Sequence, residues 1–250
     1  MKLAVAGKGG MGKTTICAGL ALALAEQGER VMAVDADPNN CLGFALGIPA
    51  EKLEGIKPIS EMKELLEERA GSRGGGMYNL APEVADLIDQ FKVSWGGLDL
   101  LVMGTIDRGG GGCACPLNSA LKQLLRELVA LPVSLLVDME AGLEHLGRGT
   151  AAAVNAFLVV VDATPAALRT ARRTAKLAAE LGVQNVWAVG NRVTTQEQRQ
   201  AIQRGLDGIP VIGFVREHPG LSQEGVFAGE AGKGLREDIY AILDVLRARA

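Results

Sequence analysis

The chain has 250 residues, with 26 Lys and Arg against 29 Asp and Glu and a formal charge of −3. That balance argues against a surface built to neutralise many nucleic-acid phosphates, and no apolar run reaches the roughly 18–20 residues needed to cross a bilayer. Apolar residues make up 48% and aromatics 4%, the profile of a core of Val, Ile, Leu and Ala that one α/β domain over residues 1–250 can bury.

In chain order, Leu3 to Ala6 is a short apolar strand that runs directly into a glycine-rich loop. No room is left for a cleavable signal, so a cytoplasmic protein is expected, with no membrane partner. A helix is expected from Thr14 to Gln27, with Gly28 as its stop. Further strands are expected at Arg30 to Val34, Leu98 to Met103, Ser134 to Val137, Phe157 to Val161, Val186 to Gly190 and Val211 to Phe214. Helical patterns lie between most of them, which predicts a mostly parallel twisted sheet of seven or eight strands with helices on both faces. Ile59 to Arg69 reads as a charged surface helix followed by a mobile loop, Gly71 to Gly76. Thr164-Pro165 opens a helix that ends at Gly182. Leu235 to Arg247 is a last amphipathic helix whose mixed charges suit core packing better than membrane anchoring.

The loop after the first strand is Gly7-Lys8-Gly9-Gly10-Met11-Gly12-Lys13-Thr14-Thr15. G-x-x-x-x-G-K-T between a strand and a helix lets the backbone N–H groups of Gly9 through Thr15 cradle phosphate oxygens, with Lys13 supplying charge and Thr14 ligating Mg²⁺. Gly7, Gly9 and Gly12 also satisfy G-x-G-x-x-G with Asp35 downstream, but dinucleotide binding has no use for Lys13-Thr14.

Lys8 in this arrangement resembles the variant Walker A loop of the ATPase family that includes the nitrogenase iron protein, arsenite-transport ATPases and cell-division and partition ATPases. The resemblance implies a homodimer in which Lys8 crosses a two-fold axis to the partner's nucleotide and is catalytic together with Lys13 and Asp37. It implies that Asp37, in Asp35-Ala36-Asp37-Pro38-Asn39, orients the attacking water in a first switch, with Asp35 near the metal's water shell. Asp138 resembles the Walker B carboxylate on Mg²⁺, and Gly142 the second-switch glycine. Asn191 resembles the adenine contact, and Thr194 stands where guanine-specific relatives carry an aspartate, so ATP is favoured over GTP. The segment Gly213 to Pro219 resembles the loop that closes over the base. For any one acidic residue after a strand, a turn or helix cap is the plain alternative.

Cys113 and Cys115 follow four glycines, Gly109 to Gly112. Thiolates two residues apart can face the same way, but a tetrahedral thiolate site needs four, so one chain is short by two. A two-fold dimer would bring both pairs together around Ni²⁺ or Zn²⁺. Two buried cysteines or a redox pair are the alternatives, and a local disulfide at this spacing is sterically awkward. Cys17 and Cys41 are taken as structural. Over the whole chain, the phosphate loop, this pair and the run Asp138 to Thr150 closely resemble the carbon monoxide dehydrogenase maturation ATPases. The resemblance implies ATP-dependent nickel insertion into a nickel–iron–sulfur client, either carbon monoxide dehydrogenase or acetyl-CoA synthase. An iron–sulfur cluster carrier and a spatial-positioning switch ATPase are the competing readings.

Overall fold

The computed structural model describes residues 1–71, 79–104, 116–140, 154, 156–183, 185–221 and 224–249. Eight strands form one sheet: β1 (Lys2–Ala6), β2 (Val31–Ala36), β3 (Val93–Trp95), β4 (Leu98–Val102), β5 (Ser134–Met139), β6 (Ala156–Val161), β7 (Val186–Gly190) and β8 (Val211–Phe214). Their order is β3-β4-β2-β5-β1-β6-β7-β8. Neighbours pair in parallel except β3 and β4, which are antiparallel. The parallel strands are covered on both faces, which is why β6 is apolar and buried at every position.

The helices are α1 (Lys13–Glu26), α2 (Leu42–Ala45), α3 (Ala50–Leu53), α4 (Lys63–Ala70), α5 (Ala85–Phe91), α6 (Pro116–Ala130), α7 (Pro165–Glu180), α8 (Gln196–Gly205) and α9 (Gly229–Arg249). Alternation along each strand sorts them into two layers. Leu3, Val5, Ala33, Leu136, Leu158 and Val160 pack with Ile16, Leu20, Leu24, Ile239 and Leu243 of α1 and α9. On the opposite face, Ala4, Val34, Val137 and Phe157 pack with Leu66 of α4, Leu87 of α5 and Leu124 of α6. Val159 and Val161, on that same face, carry Ala171 of α7 and Ile202 of α8.

The seven expected strands are all present, and the eighth, β3, is joined to β4 through Gly96 (φ 55°) and Gly97 (φ 86°). Left-handed backbone at both central positions suits a two-residue hairpin turn. The first helix begins one residue earlier than expected, and Gly28 (φ 81°) follows its end as the sequence suggests. The charged surface segment divides into a 3-10 turn at Ile59–Glu61 and α4, which ends on left-handed Gly71. The loop expected beyond it falls outside the described residues. The last helix starts at Gly229, six residues before the amphipathic pattern becomes readable. Among the described residues no helix is long and apolar enough to cross a membrane.

Phe157 is among the largest fully buried side chains and sits on a strand packed from both faces. Phe157→Ala should therefore lower unfolding free energy by about 3–5 kcal/mol, read from urea denaturation with the slope unchanged.

Candidate nucleotide site

β1 ends in the middle of the sheet, and its chain enters α1 through the glycine loop. Gly7 is at φ 148°, and a Cβ there would lie 2.5 Å from the Val160 carbonyl oxygen of β6, so only glycine allows this approach. Gly12 (φ 86°) is the N-cap of α1, which has no side-chain cap and no acidic residue in its first turn. Its exposed N–H groups and the helix dipole make an anion site of this end. Met11 N–H returns to the Lys8 carbonyl at 3.3 Å, closing the turn. Lys8 is exposed, whereas Lys13 is buried, with Nζ 4.0 Å from Asp37 Oδ2.

Three carboxylates meet beside this loop. Asp35 of β2 and Asp138 of β5 are register partners on adjacent strands, and both are 0% exposed. Asp35 has support: Oδ1 accepts Asp37 N–H at 3.2 Å and Oδ2 accepts Leu42 N–H at 2.9 Å. Asp37 Oδ1 accepts both the backbone and side-chain N–H of Asn39 at 3.0 Å. Asp138 has no such support. Both its oxygens are buried without a partner in hydrogen-bond geometry; the Thr14 hydroxyl is near enough to favour its charged form without satisfying either oxygen.

Burial is the main cause that pushes Asp138 up to about 7; Asp35 and Asp37 add repulsion, while Thr14 and Lys13 oppose it. Burial likewise pushes Asp35 up to about 6, against the two backbone N–H groups that favour its ionised form. An orphaned, desolvated carboxylate next to a second one and a threonine is a donor set that fits a hard divalent cation, which would repay the desolvation. Thr14, Asp35 and Asp138 are thus brought together with Lys13 and Asp37.

Asn191 follows β7 and is buried, its Nδ2 donating to the Met11 carbonyl at 2.7 Å. A Cβ at Gly12 would stand 2.3 Å from that nitrogen, so Asn191 is fitted against the phosphate loop. It also lines a cavity of about 250 Å³ with Gly12, Thr15, Arg192, Arg216, His218 and Leu235. Val215 to Pro219, within the segment expected to close over the base, line it, whereas Arg192, Leu221 and Leu235 are cavity residues that sequence reasoning did not assign. The turn after Gly213 was the available signal, but the contacts depend on α9, remote in sequence. Thr194 does not line the cavity; its N–H and hydroxyl both donate to Gln198 Oε1, at 2.7 and 3.1 Å, next to the Thr195 capping box of α8.

Cys113, Cys115 and Gly142 lie outside the described residues. Cys17 is fully buried in α1, where burial, followed by the charges of Asp138 and Asp35, raises its thiol well above the ordinary value. Cys41 is exposed, yet burial around its thiol and the nearby Asp35, Asp37 and Asp138 raise it too. Neither is poised as a thiolate.

Four comparisons bear on this arrangement. The family described as the CobQ/CobB/MinD/ParA nucleotide binding domain matches residues 2–226. The carbon monoxide dehydrogenase accessory protein CooC of Rhodospirillum rubrum is 37% identical over 255 residues, spanning 100% of this chain and 97% of that protein. An uncharacterised ATP-binding protein of Methanocaldococcus jannaschii is 40% identical over 222 residues, 86% of this chain and 84% of its own. The cell-division ATPase MinD of Pyrococcus furiosus superposes with a TM-score of 0.68 over 100% of both chains at 17% identity, a likeness of fold.

Because Asp35 and Asp138 hold protons more tightly folded than unfolded, their contribution to stability is complete below pH ~4 and is lost as pH rises through about 6 and 7. Without nucleotide and metal, Asp138→Asn should be more thermostable than the unsubstituted protein at pH 8, and the advantage should shrink toward pH 5 in parallel melting curves.

Proposed function

This chain belongs to the CobQ/CobB/MinD/ParA nucleotide-binding family and is an ATPase, and we propose that it is a maturation ATPase for a nickel–iron–sulfur enzyme, carbon monoxide dehydrogenase or the related acetyl-CoA synthase. The reading takes residues 1–250 as one P-loop ATPase domain working in the cytoplasm as a homodimer. The observation that carries it is the unpartnered Asp138 beside Asp35 and the uncapped start of α1, a site prepared for a phosphate chain and its cation. Full-length similarity to a carbon monoxide dehydrogenase accessory protein supports the client.

In this mechanism the N–H groups of Gly9 through Thr15 take the phosphate oxygens of ATP, and Lys13 turns its charge toward the terminal phosphates. Mg²⁺, held by Thr14 and through water by Asp35 and Asp138, would supply neutralising charge on the phosphate oxygens. Lys13 Nζ stands 4.0 Å from Asp37 Oδ2, so engaging phosphate leaves that carboxylate to orient water. The water oxygen bonds to the γ-phosphorus as the bond to the β-phosphate bridging oxygen breaks, giving ADP and inorganic phosphate. Lys8, exposed on one copy, reaches the nucleotide of the other, where negative charge spreads in the transition state. Gly142 would report the γ-phosphate in the second switch. Asn191, with the cavity beside it, receives adenine.

Nickel, or zinc in its place, is cargo on this reading. Cys113 and Cys115 from two copies give the four thiolates that a tetrahedral soft-metal site requires. ATP and metal both favour the closed dimer, and hydrolysis alters the dimer so that the metal passes to the client.

Two measurements test the reading. Lys8→Ala should keep ATP affinity within a few fold while kcat falls by about 10²–10³-fold, as loss of one transition-state charge predicts; equal loss in affinity would count against transfer across the dimer. Metal content and molecular mass, measured together with ADP and with ATP, should show one Ni²⁺ or Zn²⁺ per nucleotide-stabilised dimer, abolished in Cys113→Ala/Cys115→Ala. A metal-free dimer would instead favour a switch ATPase.

A further inference from the structure

At the base end of the cavity one carboxylate gathers a whole loop. Asp238, on α9, has a side chain only 12% exposed. Its Oδ2 accepts the Arg216 backbone N–H at 2.8 Å, its Oδ1 accepts Arg216 Nε at 2.9 Å, and His218 Nε2 lies 2.8 Å from Oδ2. Against a carboxylate, which only accepts, that imidazole nitrogen is the N–H donor. A further guanidinium nitrogen of Arg216 donates to the Gly234 carbonyl at 3.1 Å and to Glu237 Oε2 at 3.0 Å. All three acceptors belong to consecutive turns of α9, and both donor residues line the nucleotide cavity.

Gly234 shows how closely the helix and loop fit. A Cβ there would lie 2.8 Å from His218 Cε1 and 3.0 Å from its Nδ1. A glycine inside a helix is unfavourable by itself, and here its missing side chain is the space the imidazole fills. The residues following β8 form no helix or strand up to Gly220, so without this tie the loop would have to be ordered at the moment a ligand binds. Charge-assisted hydrogen bonds complete that ordering in advance.

We propose that Asp238 is a positioning residue for the nucleotide base: through Arg216 and His218 it holds the loop after β8 as a preformed wall of the base cavity. It sets affinity for the nucleoside part of ATP and ADP and leaves the hydrolytic groups, on the other side of the phosphate loop, untouched. The proposal rests on the reading of the cavity as the base site.

The test is calorimetric binding of ATP, ADP and inorganic tripolyphosphate, each with Mg²⁺, to the full chain and to Asp238→Asn, together with steady-state hydrolysis. Asp238→Asn keeps the shape but loses the charge. ATP and ADP should bind roughly tenfold more weakly, the scale of one charge-assisted hydrogen bond, while tripolyphosphate affinity is unchanged. KM for ATP should rise with kcat held within about twofold. Gly234→Ala, which keeps every donor and acceptor but presses on the His218 ring, should give the same pattern and decides the matter if Asp238→Asn does not fold. Arg247→Ala, which removes the separate tie of α9 to Glu29, should change none of these values. Unchanged ATP affinity in the folded variant, or equal weakening of ATP and tripolyphosphate, overturns the positioning role. An unsubstituted protein that binds tripolyphosphate as tightly as ATP would instead overturn the base-site reading itself.

Discussion

Asp35 and Asp138 are carried side by side at the ends of two paired central strands, sealed from solvent, and the groups around them are arranged to manage that charge. In water each would ionise freely. Here burial raises both, the charge of Asp37 adds to it at each, and Asp138 lacks the backbone N–H groups that partly compensate Asp35. Such a pair is costly in isolation and is relieved only by protons or by a cation. The strand order supplies the place for that cation's other ligands. From β1 the chain crosses to β2 on one side, and from the neighbouring β6 it crosses to β7 on the other. A crevice opens where adjacent strands send their connections in opposite directions, and the phosphate loop, with Gly7 against the Val160 carbonyl, is laid into it.

Asp35 is also a junction. Its carboxylate accepts the N–H groups of Asp37 and Leu42, which shape the segment after β2. Its backbone carbonyl accepts Met103 N–H at 2.9 Å and Gly104 N–H at 3.1 Å, just past β4. Asp37 and the residues Met103 and Gly104 after β4 are therefore tied to one buried residue. Gly104 passes close to the 3-10 turn, where a Cβ would meet Ser60 Oγ at 2.2 Å and Pro58 Cβ at 2.9 Å. Asp35 thus joins the start of the segment after β2 to the end of β4 through direct hydrogen bonds.

What could be read in the sequence follows from how local each feature is. The parallel strands were legible because burial on two faces turns them into apolar runs; β3 was not, because two half-buried residues around an exposed Ser94 and a Gly-Gly turn leave no such run. The early turns of α9 were hidden for a packing reason. Gly232 and Gly234 look like loop residues, yet a Cβ at Gly232 would stand 2.3 Å from the Phe227 backbone, so the glycines belong to a helix crowded by its neighbours. The phosphate loop was legible since its chemistry sits in nine consecutive residues. The cavity proposed for the base was legible only in part: Asn191 and the segment Gly213 to Pro219 could be named from a resemblance, but Arg192 and the contribution of α9 could not, since the cavity is assembled from parts remote in sequence.

That difference in locality also separates the two ends of the site by what each can vary. The phosphate end is constrained at several points: a glycine against a carbonyl, a glycine against an amide, two carboxylates in register. Substitution there meets backbone, as at Gly7, or a hydrogen-bonded amide, as at Gly12. The base end is built from side chains on loops and can be remodelled without disturbing the sheet. Chemistry that separates one member of the family from another can then be carried outside the shared frame. On the proposed function Cys113 and Cys115 carry such chemistry, in the stretch of sequence between β4 and α6.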